Sequence, residues 1–475
     1  MTAYHLIPGP DPASATSDPI RSYLADPLGH MSILYERYGD VVALVRGGNP
    51  GLYLPETTTT GTVFAFGPKQ AEVILRNPTQ FHSHSLISPL FPECENKDSS
   101  LRRITTGLFS HNGSVHQCQR KKVMPPFQRS FVETFSPDIT CITAEITSTW
   151  DQKGPIDLAQ ESTTLALAIL WHIVLGEKGK EYPHLLSHTR SWLEHLIGAS
   201  KGYTLNLPDN PQDRVRDEAS SIEATFRRLW QEALQKEQSI LTQLCRHAPQ
   251  GAALSETEGI GHLFTFVMAG YETVASSILW TLFLLASHPN QMAQLTEEIE
   301  GHLNGGDPSA ETIRHMTYLD HVIKESLRVL PAAPICWRIA QQGAHLGPWE
   351  IPAGTEVIYS PFHIHHLAGF YDQPNTFSPD RWATLRPSAF EYLPFSAGPR
   401  KCIGASLATH IIKGVLIYLL PRYHFQLPDR IKVNLQVGIT LQPAAELPMK
   451  IIPRHLASPT PSEIEGNIRH HLKFQ

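Results

Sequence analysis

Residues 395–404 read Phe-Ser-Ala-Gly-Pro-Arg-Lys-Cys-Ile-Gly, which sets one thiol, Cys402, between Gly398 and Gly404 and directly after Arg400 and Lys401. Glycines let a loop bend where a side chain would clash, and let backbone approach a flat ligand closely. Two cations and a run of backbone N–H groups favour the thiolate over the thiol. The apolar run Ala405 to Leu420 reads as a helix, and the loop points at its start, which also favours negative charge. A thiolate held this way can serve as an axial ligand for haem iron, where it pushes electron density onto the metal and favours O–O cleavage. A lone cysteine in a Gly/Pro loop is unspecific; the ten-residue pattern is not.

Two further groups carry chemistry. Ala269-Gly270-Tyr271-Glu272-Thr273 lies on a long apolar segment. A carboxylate and a hydroxyl at adjacent positions can pass protons through water. The plainer account is a helix with a packing glycine and a threonine bonded to its own backbone; alternatively Gly270 beside Thr273 opens the helical ladder and frees a carbonyl. Glu325 and Arg328, three apart, share one helix face. Val322, Ile323 and Leu327 crowd that pair, and an arginine in low dielectric requires its carboxylate and further acceptors. Phe377-Ser378-Pro379-Asp380-Arg381-Trp382 can bring Arg381 to the same carboxylate.

Together these segments closely resemble the cytochrome P-450 family from about Asp26 to Ile452, with Phe395, Gly398, Arg400, Cys402 and Gly404 each at a position of its haem-binding loop. The resemblance implies a mainly α fold with small β-sheets (α+β), with haem b buried between the central helix and the helix after the cysteine. It implies Cys402 as the iron ligand and Glu272 and Thr273 as an acid–alcohol pair that governs protons. Glu325, Arg328 and Arg381 match a structural triad that locks the following meander beside the haem loop. Val274 departs from the pattern, since many members carry a second Thr or Ser there. Arg338, Arg400, and His116 with Arg120 match positions that supply donors to the two haem propionates. Ala269, Phe266, Ala333, Ile335 and Ile439 match the substrate side; they suit an apolar pocket and equally suit plain core.

The implied reaction inserts one atom of dioxygen into an apolar small molecule, by hydroxylation or epoxidation, with two electrons from an external carrier. Two other readings share the fold. One is a hydrogen-peroxide-dependent peroxygenase or peroxide isomerase, whose members tend to lack the acid–alcohol pair. The other is a haem-based ligand sensor or carrier, which normally brings a signalling domain.

The bulk of the chain agrees with such a scaffold. A length of 475 residues invites two or three domains, yet no long linker and no internal repeat divides it. The expectation is one domain over 1–475, with 1–25 an extended arm and 456–475 a polar, frayed tail. The net charge of −6 and pI near 6.5 argue against a nucleic-acid partner. Six scattered cysteines without a Cys-x-x-Cys pair suggest neither zinc nor a disulfide framework, and a reducing cytosol suits them. Ile7-Pro8-Gly9-Pro10 is similar to the hinge that follows a membrane anchor in microsomal relatives, but six preceding residues are too few for an anchor. A soluble, cytoplasmic, bacterial-type monomer is expected.

Along the chain, Met31 to Tyr38 reads as a short helix, Val41 to Val45 and Thr62 to Phe66 as strands, and Pro68 to Arg76 as a helix. Phe81 to Gly113 reads as an irregular loop over a site. Helices are expected at His116 to Val123, Asp138 to Gln152, Thr163 to Leu175, Tyr182 to Ile197 and Asp213 to Cys245, with a break at 200–212. Thr257 to His288 is apolar nearly all round and marks a central helix. Gln291 to Leu303 and Met316 to Leu330 follow as helices, then short strands up to Tyr359, a polar meander from His365 to Leu393, and a hairpin sheet over Phe425 to Ile452. Arg120-Lys121-Lys122 with Lys401 form a basic patch on the cysteine side, where an acidic ferredoxin or flavodoxin, with its reductase, is the expected electron donor.

Overall fold

The computed structural model describes residues 7–12, 18–49, 51–54, 59–83, 99–176, 188, 191–192, 195–196, 212–233, 239–246, 254–306, 308–456 and 461–474. Most of the expected helix at 182–197 and the break at 200–212 lie outside the described residues.

The central segment is one unbroken helix, Glu256–Ala286. Ser255 and Glu258 close its first turn reciprocally: Ser255 N donates to Glu258 Oε2 at 2.8 Å and Glu258 N to Ser255 Oγ at 3.2 Å. Every residue from Val274 to Ala286 is buried, as an all-round apolar helix requires. Its buried hydroxyls are spent on carbonyls, Ser277 on Thr273 O at 2.7 Å and Thr281 on Ser277 O at 2.6 Å. The helices Leu158–Leu175, Thr317–Val329 and Ala405–Leu419 surround it and share its core. Leu158–Leu175 and the central helix are long and apolar enough to cross a membrane, but most of each is buried inside the fold.

A five-stranded mixed sheet runs in the order Val41–Ala43, Gly61–Ala65, Thr355–Tyr359, Cys336–Ala340, Phe81–His82. Gly61–Ala65 pairs parallel with Thr355–Tyr359 and the other neighbours are antiparallel. Alternation puts Val63 and Ala65 in one core cluster and Phe64 and Phe66 in another, so both faces are covered. Smaller sheets are the hairpin Ala344–Leu346 with Trp349–Ile351, two two-stranded sheets after Leu420, and a three-stranded sheet that joins Ile156–Asp157 to Pro448–Pro453 and Tyr423–Gln426.

Four expectations are corrected. Within the described part of the arm, residues 7–12 run beside the first strand, where Ala43 N donates to Pro8 O and Arg46 N to Pro10 O, but the residues after Asp18 are not extended. Pro19–Ala25 and Pro27–Tyr38 are helices, because each proline sits at N1 and Asp18 and Asp26 accept from the first-turn N–H groups. The loop at 81–113 contains a helix, Ser100–Thr105, capped by Ser99; residues 84–98 lie outside the described residues. The segment 213–245 is two helices, Gln212–Ala233 and Ile240–Arg246. The tail is anchored: Glu463–Glu465 pairs parallel with Arg430–Lys432, and Ile464, Ile468 and Leu472, spaced by four, are buried.

Candidate active site

The cysteine loop folds back on itself, with Cys402 N donating to Phe395 O at 2.9 Å and Lys401 N to Gly398 O at 3.1 Å. Gly398 has φ of +70°, and a Cβ on it would run into Leu75 O, so backbone angle and space both exclude a side chain. Gly404 precedes the helix Ala405–Leu419, and its N–H favours the charged form of the Cys402 sulfur. Phe395 is half-buried against the main core.

Cys402 is exposed, yet burial is the largest influence on its thiol and pushes it up. Both hold if the sulfur faces a space inside the fold rather than the outer surface. The Gly404 N–H, Arg120 and Lys401 pull the other way without prevailing. Burial and the cations thus act on the sulfur in opposite senses, and the guanidinium acting on it is Arg120, not Arg400. A metal must displace the proton when it binds.

Arg120, Arg338, Arg400 and His116 converge. Burial, with Arg338 and Arg120 beside it, lowers Arg400 to about 10. Burial lowers His116 to about 4, helped by Arg400, Arg120, His111 and Arg338. Arg400 donates to the carbonyls of Leu108 and His111 and to Asn112 Oδ1, fastening residues 108–112. Arg338 donates to Trp337 O at 2.7 Å and lies over the Tyr359 ring, 5.7 Å from its centre. Among the described residues no carboxylate pairs with these three guanidiniums. Cations gathered so closely repel one another, and a dianionic rim relieves them. This donor set fits haem b: Cys402 could reach its iron, and Arg120, Arg338, Arg400 and His116 could answer its propionates.

The predicted triad forms with both members of its helix pair fully buried. Arg328 Nε and Nη2 donate to Glu325 Oε2 and Oε1 at 2.9 and 2.8 Å, a bidentate pair. Arg381 Nε and Ser378 N both reach Glu325 Oε1 at 2.9 Å, and Trp382 Nε1 reaches Oε2 at 2.9 Å. The remaining donors of Arg328 are taken by the carbonyls of His365 at 2.8 Å, Pro374 at 2.7 Å and Thr376 at 3.0 Å. His365, which sequence reasoning missed, links this centre to the cysteine loop: Leu393 N donates to its Nε2 at 2.7 Å, two residues before Phe395. Nothing local marks it within Pro361-Phe362-His363-Ile364-His365.

On the central helix the Thr273 hydroxyl donates to Ala269 O at 2.8 Å and approaches Gly270 O at 3.3 Å. The ladder is not opened there; Gly270 instead lets Leu170 pack within 3.3 Å of where its Cβ would be. Glu272 Oε1 accepts from Thr440 Oγ1 at 2.7 Å, a contact the sequence did not suggest. Of the expected substrate-side residues, Phe266 is core: it meets Phe127 edge-on at 4.8 Å and stacks on His262. Ala269, Ala333 and Ile335 are half-buried and Ile439 is 37% exposed. Their segments meet at Leu441, whose N–H bonds Ala332 O and whose carbonyl accepts from Ser276 Oγ and Trp280 Nε1.

The basic patch is smaller than expected. Lys122 is committed to Glu258 Oε1 at 3.3 Å and is largely buried, and Arg120 faces the sulfur. Lys121 and Lys401 remain exposed.

A family model described as cytochrome P450 matches residues 52–446. A cyclooctat-9-en-7-ol 5-monooxygenase of Streptomyces melanosporofaciens is 27% identical over 408 residues, covering 80% of this chain and 83% of its own. Cytochrome P450 4c21 of Blattella germanica is 28% identical over 407 residues, 76% and 77% of the two chains. The structure of retinoic acid-bound cyanobacterial CYP120A1 superposes with a TM-score of 0.79 at 20% identity, covering 94% of this chain and 99% of its own.

Proposed function

The chain belongs to the cytochrome P450 family of haem-thiolate monooxygenases, whose cofactor is haem b, and we propose that it hydroxylates or epoxidises an apolar organic substrate with electrons from a separate ferredoxin or flavodoxin and its reductase. When bound, the haem supplies the iron at which dioxygen is reduced and cleaved. Cys402 would ligate that iron, and Arg120, Arg338, Arg400 and His116 would hold the propionates. Glu272 carries protons at its carboxylate and Thr273 at its hydroxyl. Ala269, Ala333, Ile335 and Ile439 line the substrate side, and the half-buried, apolar character of the first three supports that reading. Phe266 is left out, being spent on Phe127 and His262.

The observation that carries the reading is the pairing of one loop thiol ringed by cations with an acid–alcohol pair on the central helix. That pair favours dioxygen over peroxide as oxidant. The test compares product formed with dioxygen, ferredoxin and reductase against product formed with hydrogen peroxide alone. We expect turnover in the first system. Faster turnover with peroxide alone would favour a peroxygenase, and ligand binding without product would favour a carrier.

The donor docks at Lys121 and Lys401, the exposed members of the patch. Lys121→Glu should slow reduction and weaken its salt dependence; an unchanged rate contradicts this docking site. The five described cysteines are free, which supports a cytoplasmic protein, and we take it to act as a single-domain monomer.

A further inference from the structure

The hairpin that carries Ile439 also holds the Glu272 carboxylate. Thr440 is fully buried, and its Oγ1 donates to Glu272 Oε1 at 2.7 Å. Gln442 Nε2 donates to the same Thr440 oxygen at 2.9 Å. A hydroxyl has a single proton to give. With the Gln442 amide pointing into the oxygen, that proton is left for the carboxylate, so the chain of bonds has one direction.

The hairpin is pinned without this pair. Ser276 Oγ and Trp280 Nε1 donate to Leu441 O at 2.8 and 2.9 Å, and Leu441 N donates to Ala332 O at 3.0 Å. Thr440 is therefore presented to Glu272 from a fixed height on the central helix. The alcohol of the pair is held separately, since Thr273 Oγ1 is turned onto Ala269 O. A threonine needed only for packing would leave a buried hydroxyl to satisfy on backbone, and this one spends it on a carboxylate 168 positions away.

We propose that Thr440, oriented by Gln442, is a positioning residue that sets the Glu272 carboxylate for proton delivery during oxygen activation. This rests on the reading of Glu272 and Thr273 as the proton-handling pair. Valine matches threonine in shape and removes the donor, serine keeps the donor, and leucine at 442 frees the hydroxyl without touching its contact with Glu272.

The experiment uses the haem-loaded protein and the variants T440V, T440S, Q442L and E272Q. Two readouts are taken: product formed per electron pair consumed, and the infrared carboxylate bands of protein labelled with 13C-glutamate. The band lost in E272Q is that of Glu272. T440V should shift this band and lower coupling about tenfold, the worth of one hydrogen bond to a charged group. T440S should retain the parent's band and coupling, and Q442L should shift the band in the same direction as T440V. An unshifted band in T440V, or in Q442L should T440V not fold, overturns the proposal. Uncoupling by E272Q without uncoupling by T440V also overturns it, while sparing the role of Glu272. Coupling unchanged in E272Q removes the role of Glu272 and the proposal with it.

Discussion

Arg328 and His365 bind each other's backbone. Arg328 Nη1 donates to His365 O at 2.8 Å, and His365 Nδ1 donates to Arg328 O at 3.1 Å. Because Leu393 N donates to the other ring nitrogen, the imidazole is neutral with its proton on Nδ1, in keeping with a pKa lowered to about 3 chiefly by burial and then by Arg328. The structural triad thus acts on the cysteine loop through a histidine as well as through the meander.

Glu325→Gln tests that centre. The carboxylate answers two arginines, a backbone N–H and an indole, and the amide would leave buried charge uncompensated. Removing one partner of a buried pair costs about 3–5 kcal/mol. Urea unfolding of the variant should show a loss of that size together with faster haem release. A variant as stable as the parent contradicts the account.

Sequence motifs made part of this site legible. Cys402, Glu325 with Arg328, Arg381, and Glu272 with Thr273 sit in short patterns whose spacing the structure keeps. His365 and Thr440 were not legible, because each reaches its partner across 37 and 168 positions with no local pattern to mark it, and Trp382, though it ends the Phe377–Trp382 motif, carries no sign of its own bond to Glu325, 57 positions away. The environment of Cys402 is only partly legible for a related reason: neighbours in sequence reveal charge, but not the burial that opposes it. Met31 to Tyr38 is helical as its spacing predicts, but Pro19–Ala25 and the first turn of Pro27–Tyr38 are not legible, because their prolines and aspartates suit extended chain as well as N1 and cap positions.

Gly398→Ala should destabilise more than Gly113→Ala. Both glycines have positive φ, +70° and +56°, but only at Gly398 does added carbon meet backbone, at Leu75 O; at Gly113 it meets open space. The backbone term alone is about 1 kcal/mol. Melting temperatures should therefore fall modestly for Gly113→Ala and further for Gly398→Ala. Equal losses would show that the close approach to Leu75 does not matter.

Acid should unfold the protein through its buried histidines. His262 and His410 are lowered to about 4, and His363 and His365 to about 3, in each case chiefly by burial. In the unfolded chain they titrate near 6.5. Their folded values are depressed, so the folded state binds fewer protons than the unfolded one. The stability they contribute is full above about pH 6.5 and declines as pH falls toward 4, each group adding up to about 1.4 kcal/mol per pH unit. Urea midpoints measured from pH 8 to pH 4 should fall below pH 6.5. A flat profile would mean that these imidazoles are solvated.

Thr273→Ala should uncouple turnover, raising hydrogen peroxide release at the expense of product. Thr273→Ser keeps a hydroxyl within reach of Ala269 O and should stay close to the parent. Peroxide and product yields per reduced cofactor decide it, and an alanine variant coupled like the parent removes Thr273 from the proton path.

The central claim is the bond between the Cys402 sulfur and haem iron. Its most direct measurement is the absorption spectrum of the reduced protein under carbon monoxide, for the parent and for Cys402→Ser. The parent should show the far red-shifted Soret band of thiolate ligation and the serine variant should lack it. The same band in both proteins would contradict the assignment of Cys402 as the iron ligand.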